Sequence, residues 1–227
     1  MFLTIKKRFL LIILCCVIFI TGFSLYFLHL EEVNSPNTAM SIIIDAGHGG
    51  KDGGAVGSTG VSESYLNLQY AKELQTLCED AGFKVIMTRS DMNGLYSPLA
   101  SNKKRSEMEK REKIINSADG KLVVSIHMNS YPLSSLYGAQ VFYKKDNESG
   151  KNFAQSVQSN LKKESLNTRG EASVGDYYVL NCTDKPAILV ECGFLSNVEE
   201  ELKLCSDEYR KNFCESLFRG VLDFYSL

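Results

Sequence analysis

Histidine is scarce in this chain, and two of its three histidines lie where strands are predicted to end. His48 follows the run Ser41–Asp45 in the sequence DAGHGG, and His127 follows the run Lys121–Ile126 in SIHMNS. Both runs are short, apolar and rich in β-branched residues, which is typical of buried strands. Because open α/β sheets bind ligands at the carboxyl ends of their strands, we expect the two imidazoles to converge.

Two glutamates extend the set that these histidines begin. Glu191 ends the apolar run AILV, an unusual place for a charge unless something binds it. Glu63 opens the first long predicted helix, which must leave from the same end of the first strand. Two imidazoles, one carboxylate and a water form a catalytic zinc site, and a further carboxylate then serves as general base. Glu63 and Glu191 are the candidates for ligand and base, and the residues alone do not decide between them.

Each of these residues also has an ordinary structural explanation. A histidine beside glycines commonly belongs to a loop or a cap, and Glu63 is favourable at a helix start through the helix dipole alone. Asp45 could simply hold the glycine-rich turn. GHGGKDGG also resembles a phosphate-cradling loop, but Lys51 is followed by Asp52, so the spacing G-x-x-x-x-G-K-[ST] is missing. The joint placement of the histidines and Glu191 at strand ends favours a metal hydrolase.

The elements that must position these residues alternate between strands and helices. Continuous apolar strands in such an alternation predict an α/β fold around a largely parallel sheet. The predicted strands are Ser41–Asp45, Phe83–Thr88, Lys121–Ile126, Gly138–Tyr143, Tyr177–Leu180 and Ala187–Glu191, and the predicted helices are Glu63–Ala81, Ser106–Ala118, Gly150–Glu164 and Asp207–Phe224.

The N-terminal segment has a different composition. Phe9–Leu30 contains no charged side chain and follows the basic tripeptide KKR. At about 1.5 Å per residue, a helix of this length would measure roughly 33 Å, enough to cross a bilayer core. The basic flank predicts that the rest of the chain lies outside the cytoplasm. We expect residues 1–30 to be an uncleaved signal-anchor, with a cleaved signal peptide as the alternative, and residues 31–39 to be a tether before a domain spanning 40–227.

Composition excludes several other classes of protein. Of the 227 residues, 44% are hydrophobic and 23% are charged, which is typical of a globular chain and excludes wholesale disorder. The formal net charge of −2 disfavours a general nucleic-acid partner. The cysteines after residue 40 match no zinc-ribbon spacing, so we expect them to be small apolar core residues. They are Cys78, Cys182, Cys192, Cys205 and Cys214.

Three motifs occur in order across residues 41–226: DAGHGGKDGGAVG-x₅-E, SIHMNS and PAILVECGFLSN-x-EE. Together they resemble the zinc-dependent N-acetylmuramoyl-L-alanine amidases of the amidase-3 type. The resemblance implies a single α/β domain with a mostly parallel, twisted sheet flanked by helices. It also implies hydrolysis of the amide bond between N-acetylmuramic acid and L-alanine in peptidoglycan. The short chain and single N-terminal apolar segment are most similar to the sporulation- and germination-specific amidases of the CwlD type, which implies a role in spore cortex.

The resemblance also implies a role for each site residue. It assigns His48, Glu63 and His127 to the Zn²⁺ ion and Glu191 to catalysis, where it takes a proton from the attacking water and passes it to the leaving amine. Arg111 matches a family arginine, and Asn116 likewise matches a family asparagine, both ahead of the SIH segment.

The chain departs from the family pattern at two places. The connection between Arg89 and Arg111 is longer and more charged than usual, and Asn181 stands where members often carry a basic residue. These departures concern substrate contacts rather than the metal ligands.

The expected partners follow from the same resemblance. They are peptidoglycan glycan strands with stem peptides, met in the cell wall or forespore envelope of a spore-forming bacterium, and the membrane through the N-terminal helix. Some relatives need an activator protein, and control by such a partner is an open hypothesis for this chain. The alternatives are a zinc peptidase cutting within peptidoglycan peptides and a non-catalytic wall-binding domain.

Overall fold

The computed structural model of the chain describes residues 17–24, 37–164 and 166–226. The chain divides into two compact units, Met1–Pro36 and Asn37–Leu227. All the residues predicted to do chemistry belong to the second unit.

In the first unit, residues 17–24 form helix α1, whose side chains are exposed. The predicted membrane segment, Phe9–Leu30, otherwise falls outside the described residues. Among the helices that the structure does describe, none combines the length and the apolar character needed to cross a membrane.

The second unit contains, within its described residues, a six-stranded sheet of order β2-β1-β3-β6-β4-β5. Strand β1 is parallel to β2 and β3, and β3 is parallel to β6. Strand β4 is antiparallel to β6 and parallel to β5. The prediction of an α/β fold with a mostly parallel sheet is therefore confirmed. The strands are β1 (Asn37–Ala46), β2 (Phe83–Met87), β3 (Leu122–Asn129), β4 (Gln140–Tyr143), β5 (Ser173–Val174) and β6 (Ala187–Phe194).

Helices cover both faces of this sheet. The evidence is that alternate residues of a strand belong to two different apolar clusters. Ile42 and Ile44 pack in the larger cluster with side chains of α2, α4 and α7. Ile43, between them, packs in a smaller cluster with side chains of α3 and α5. Burial on both faces explains why the strands read as continuous apolar runs. The helices are α2 (Glu63–Asp80), α3 (Lys103–Ser117), α4 (Glu148–Lys163), α5 (Tyr178–Asn181), α6 (Val198–Leu204) and α7 (Asp207–Ser226).

One predicted strand is wrong. Tyr177–Leu180 has strong β propensity, but α5 is a helical turn in which the amide of Cys182 donates to the carbonyl of Tyr178 at 2.9 Å. The turn buries Val179 and Leu180 in the smaller apolar cluster, so packing against the sheet overrides local propensity. The sequence also did not predict the two-residue strand β5 or helix α6.

Candidate active site

Three of the four predicted site side chains meet at the carboxyl edge of the sheet. His48 follows β1, His127 lies in the neighbouring parallel strand β3, and Glu63 opens α2. One ligand atom from each lies within 4.8 Å of the others. In the described part of the chain, this is the group of side chains that could hold a metal ion.

The turn after β1 is shaped to accept the second histidine. His48 has φ 60°, a left-handed conformation that is uncommon outside glycine. Its neighbour Gly47 has no side chain, and a Cβ there would collide with the imidazole of His127. Glycine at 47 thus lets the two imidazoles approach, with ring centroids 5.0 Å apart.

The start of α2 fixes Glu63. Ser62 is the N-cap, and its side chain accepts a hydrogen bond from the amide of Tyr65. The amide of Glu63 donates to the carbonyl of Ala55 at 2.8 Å, and the amide of Ala55 donates to Glu63 Oε2 at 2.9 Å. These contacts hold one carboxylate oxygen and leave the other to face the histidines.

Glu63 Oε1 is the common contact of both imidazoles. It lies 2.8 Å from His127 Nδ1 and 3.2 Å from His48 Nε2. Gly54 makes room for this carboxylate, since a Cβ there would collide with Glu63 Oε2. The atoms of the three side chains that approach one another are therefore His48 Nε2, Glu63 Oε1 and His127 Nδ1.

The charge of Glu63 dominates the cluster. Burial would raise the pKa of Glu63, but the hydrogen bonds and charges of His127 and His48 outweigh it and hold that pKa well below its usual range. Burial would lower the pKa of His48, but the facing carboxylates of Glu63 and Asp52 raise it. Glu63 is thus an ionised carboxylate that already attracts cationic partners.

The donor set fits a small divalent metal ion. Ligands of a tetrahedral zinc site with bonds of about 2.0–2.1 Å lie roughly 3.4 Å apart, and Glu63 Oε1 lies 2.8 Å and 3.2 Å from the two imidazoles. Two imidazole nitrogens and one carboxylate oxygen suit zinc among the common ions, and they leave one position for water or substrate. The residues therefore fit the metal that the sequence predicts.

Glu191 lies beside the cluster. It is the register partner of His127 in the adjacent strand β6 and is only 8% exposed. Its Oε2 is buried and has no hydrogen-bond partner among the described residues. Burial raises the pKa of Glu191 to about 7, with the charge of Glu63 adding to the effect and the histidines opposing it. A carboxylate with a free oxygen and a pKa near neutrality can accept and return a proton.

Two buried arginines hold the turn that carries His48. Arg89 donates to the carbonyls of Ala46 and Gly47, each at 2.9 Å. Arg111 donates to the carbonyls of Ala46 and His48. Arg111, which the resemblance singled out, thus supports the site from behind, and Asn116 lies further away, donating to the carbonyl of Cys182 at 2.7 Å.

Asp45 anchors this support. It accepts hydrogen bonds from Thr88 and Ser125, each at 2.7 Å, and pairs with Arg111. Burial would raise the pKa of Asp45, but Arg111 and the two hydroxyls lower it. Asp45 therefore helps to hold the glycine-rich turn through Arg111. This is the structural role that the sequence analysis offered as an alternative for Asp45.

Sequence reasoning missed Asp52 and Arg89. Asp52 Oδ1 lies 3.0 Å from His48 Nδ1, within ion-pair distance although outside hydrogen-bond geometry. A carboxylate behind a ligand histidine orients the opposite ring nitrogen toward the metal. No pattern marks Asp52, but Arg89 follows the apolar strand β2, and a charge at a strand end was the signal that identified Glu191.

A cavity of about 230 Å³ opens beside the two histidines. One wall comes from α3 through Lys104 and Met108, and the opposite wall comes from α5 and the preceding residue. Apolar walls next to a polar cluster are typical of a substrate pocket. The second of these walls consists of Tyr177, Tyr178 and Val179, and Leu189 of β6 also lines the cavity.

Comparison with known proteins identifies relatives over this whole region. A family model described as N-acetylmuramoyl-L-alanine amidase matches residues 42–223. The germination-specific N-acetylmuramoyl-L-alanine amidase of Bacillus subtilis is 32% identical over 195 residues, which cover 84% of this chain and 82% of that protein. The solved structure of the CwlD amidase from Clostridioides difficile, in complex with the GerS lipoprotein, is 34% identical with a TM-score of 0.79. The match covers 82% of this chain and 98% of that one.

A second solved structure shows the same fold. The catalytic domain of CwlV, an N-acetylmuramoyl-L-alanine amidase from Bacillus (Paenibacillus) polymyxa, is 29% identical with a TM-score of 0.73. That match covers 82% of this chain and 98% of the domain. The family resemblance seen in the three sequence motifs is confirmed.

Proposed function

The chain belongs to the N-acetylmuramoyl-L-alanine amidase family, and on that premise we propose that a zinc ion bound by His48, Glu63 and His127 serves its hydrolysis of the amide between N-acetylmuramic acid and L-alanine. Glu191 acts as the general base. One observation carries this proposal: a three-ligand cluster lies beside a buried carboxylate that has a free oxygen.

The metal and the protein residues divide the chemistry. When bound, zinc supplies Lewis-acid polarisation of the amide carbonyl. Glu191 accepts a proton from the attacking water at its free oxygen and delivers it to the leaving nitrogen, so that the amine departs neutral.

The remaining residues hold the ligands in place. Asp52 orients His48 from its outer ring nitrogen, and Ala55 holds one oxygen of Glu63. The two arginines fix the backbone that carries His48. Preorganisation of this kind is what a metal hydrolase needs, because small displacements of a ligand or base are costly in rate.

The biological setting is proposed from the relatives. The Bacillus subtilis relative is germination-specific, which supports action on spore cortex peptidoglycan outside the cytoplasm. We place residues 1–30 as a signal-anchor, residues 31–39 as a tether and residues 40–227 as the catalytic domain. The CwlD amidase was solved with a lipoprotein partner, which supports control of this chain by an activator protein.

Product analysis tests the proposed bond and metal. The full-length chain is incubated with purified peptidoglycan, and the new amino termini are identified. We expect free L-alanine amino groups and about one zinc per chain, and we expect His127→Ala to lose both zinc and activity. Glu199→Gln, which changes an exposed glutamate of α6, serves as the control. New amino termini inside the stem peptide would instead indicate a zinc peptidase.

A further inference from the structure

A second cavity, of about 390 Å³, is lined by three lysines and by Asp52, which contacts His48. Resting on the proposed function, we propose that this basic cavity, defined by Lys51, Lys103 and Lys104, binds a free carboxylate of the stem peptide and so sets the preference among peptidoglycan substrates. Its other lining residues are Asp52, Tyr96 and Glu107.

The acidic residues of the cavity are already paired. Glu107 is buried and lies 2.8 Å from Arg111 Nη2, an arginine that also pairs with Asp45. Asp52 lies 2.6 Å from Lys104 Nζ. The ammonium groups of Lys51 and Lys103 form no ion pair with any described residue. The cavity therefore presents uncompensated positive charge, although the whole chain has a formal net charge of −2.

Tyr96 arranges these two lysines around the cavity. The amide of Lys51 donates to the hydroxyl of Tyr96 at 3.3 Å, and the ammonium of Lys103 lies 5.3 Å from the centroid of its ring. Tyr96, Lys103 and Lys104 all belong to the long, charged connection between Arg89 and Arg111. The connection that we expect to differ from the family pattern thus supplies much of the lining of the basic cavity.

The cavity is close enough to the cluster to contact the same substrate molecule. A single carboxylate, that of Asp52, separates Lys104 Nζ from the imidazole of His48. An extended peptide covers about 3.3–3.6 Å per residue, so a carboxylate on the second stem residue lies roughly 7–10 Å from the scissile bond. Flexible lysine side chains at the rim of the cavity can reach a group at that separation.

The chemistry of peptidoglycan identifies the carboxylate as part of the peptide. The lactyl group of N-acetylmuramic acid is uncharged once it is joined to L-alanine, and the acetylated sugars carry no charge. Free carboxylates of the substrate therefore lie on the stem peptide. An ammonium group favours such a carboxylate over the neutral amide that replaces it in amidated stems.

The test uses two muropeptides that differ only in the second stem residue, one with a free α-carboxylate and one with the corresponding amide. For the parent chain we expect a lower KM for the carboxylate form. In the double variant Lys51→Gln/Lys103→Gln we expect this preference to fall about tenfold, with kcat unchanged, because each exposed charge contact contributes up to roughly fivefold. Zinc content should stay at the parent value.

Lys110→Gln is the control. Lys110 is exposed and lies in α3, the helix that carries Lys103, but it does not line the cavity. It should keep the parent preference. A double variant that retains the preference, or that slows both muropeptides equally, would overturn the proposal. Calorimetry measures the binding of the same two muropeptides without turnover. It therefore tests the proposed carboxylate site even if the chain cleaves neither muropeptide. Failure to cleave either one would count against the proposed function, not against the carboxylate site.

Discussion

Strands β1 and β6 both bring a buried acid to the same edge of the sheet, but their surroundings treat the two acids in opposite ways. Asp45 ends the run SIII and Glu191 ends the run AILV. Asp45 is held by Arg111, Thr88 and Ser125, and its pKa is lowered. Glu191 keeps a free oxygen, and burial raises its pKa to about 7.

An acidic residue at the end of an apolar strand can therefore serve either a structural or a catalytic role. An ionised, fully partnered carboxylate such as Asp45 is a rigid anchor for the backbone. A desolvated, unpartnered one such as Glu191 destabilises the fold and is ready to exchange a proton. Carboxylates whose environments push their pKa values apart commonly divide structural and catalytic roles in this way.

The largest predicted effect removes the partner of Asp45. Arg111→Met leaves Asp45 and Glu107 buried without their cation, which should lower the free energy of unfolding by about 3–5 kcal/mol. Urea denaturation measures this change. Arg105→Met on the same helix removes an exposed pair with Glu109 and should leave the free energy of unfolding almost unchanged. Equal losses in the two variants would contradict the anchoring role.

Glu191→Gln should raise the free energy of unfolding of the metal-free chain, whereas Arg111→Met should lower it. The folded-state pKa of Glu191 lies above its unfolded value of 4.5, so the folded state binds more protons between those values and its stability falls as pH rises toward 7. Replacing Glu191 by Gln removes this cost. With zinc removed by a chelator, the variant should be more stable than the parent at pH 8 by up to about 3 kcal/mol and nearly equal near pH 4. If the variant were less stable than the parent at pH 8, the claim that the Glu191 carboxylate destabilises the fold would be wrong.

Asp45→Asn should lose stability with the reverse dependence on pH. The folded-state pKa of Asp45 is lowered, so its contribution is present above its unfolded value of 3.8 and is lost as pH falls through the folded value. The variant should be less stable than the parent by roughly 1.5–3 kcal/mol at pH 7, because hydrogen bonds to a charged group are lost. The gap between the two unfolding curves should narrow below about pH 4. A gap that stays constant down to pH 3 would mean that the charge of Asp45 does not matter.

A smaller effect tests the ligand side of the site. Asp52→Asn keeps the shape of the side chain but weakens its hold on His48 Nδ1, so zinc affinity should fall about 10–100-fold. Competition with a chromogenic chelator measures this directly. Asp91→Asn, which changes an exposed aspartate that contacts no ligand, is the control. Unchanged zinc affinity in Asp52→Asn would remove Asp52 from the site.

The sequence predicted the meeting of His48, Glu63 and His127 because a parallel sheet forces its strand ends to one edge. Glu191 came from the same reasoning, and its catalytic role stays a prediction. What could not be predicted is which buried acid would find partners. The groups around Asp45 come from β2, α3 and β3, and their convergence depends on tertiary packing rather than on local pattern.

The prediction was weakest on the face of the sheet that the smaller apolar cluster covers. Tyr177–Leu180 has the composition of a strand, yet burial of Val179 and Leu180 against the sheet selects a helical turn. The β propensity of these residues is worth less than the burial of two apolar side chains, so packing decides the outcome. This turn forms one wall of the cavity beside the histidines. Because the turn was predicted as a strand, the shape of that wall could not be predicted from the sequence.

The most direct test measures zinc content and amide hydrolysis on the same preparations of the parent and Glu191→Gln. The parent should contain about one zinc per chain and release stem peptides with free L-alanine. Glu191→Gln should contain as much zinc as the parent but hydrolyse peptidoglycan about 10²–10⁴-fold more slowly, because it has lost only the proton acceptor. Hydrolysis by Glu191→Gln at the parent rate would contradict the central claim.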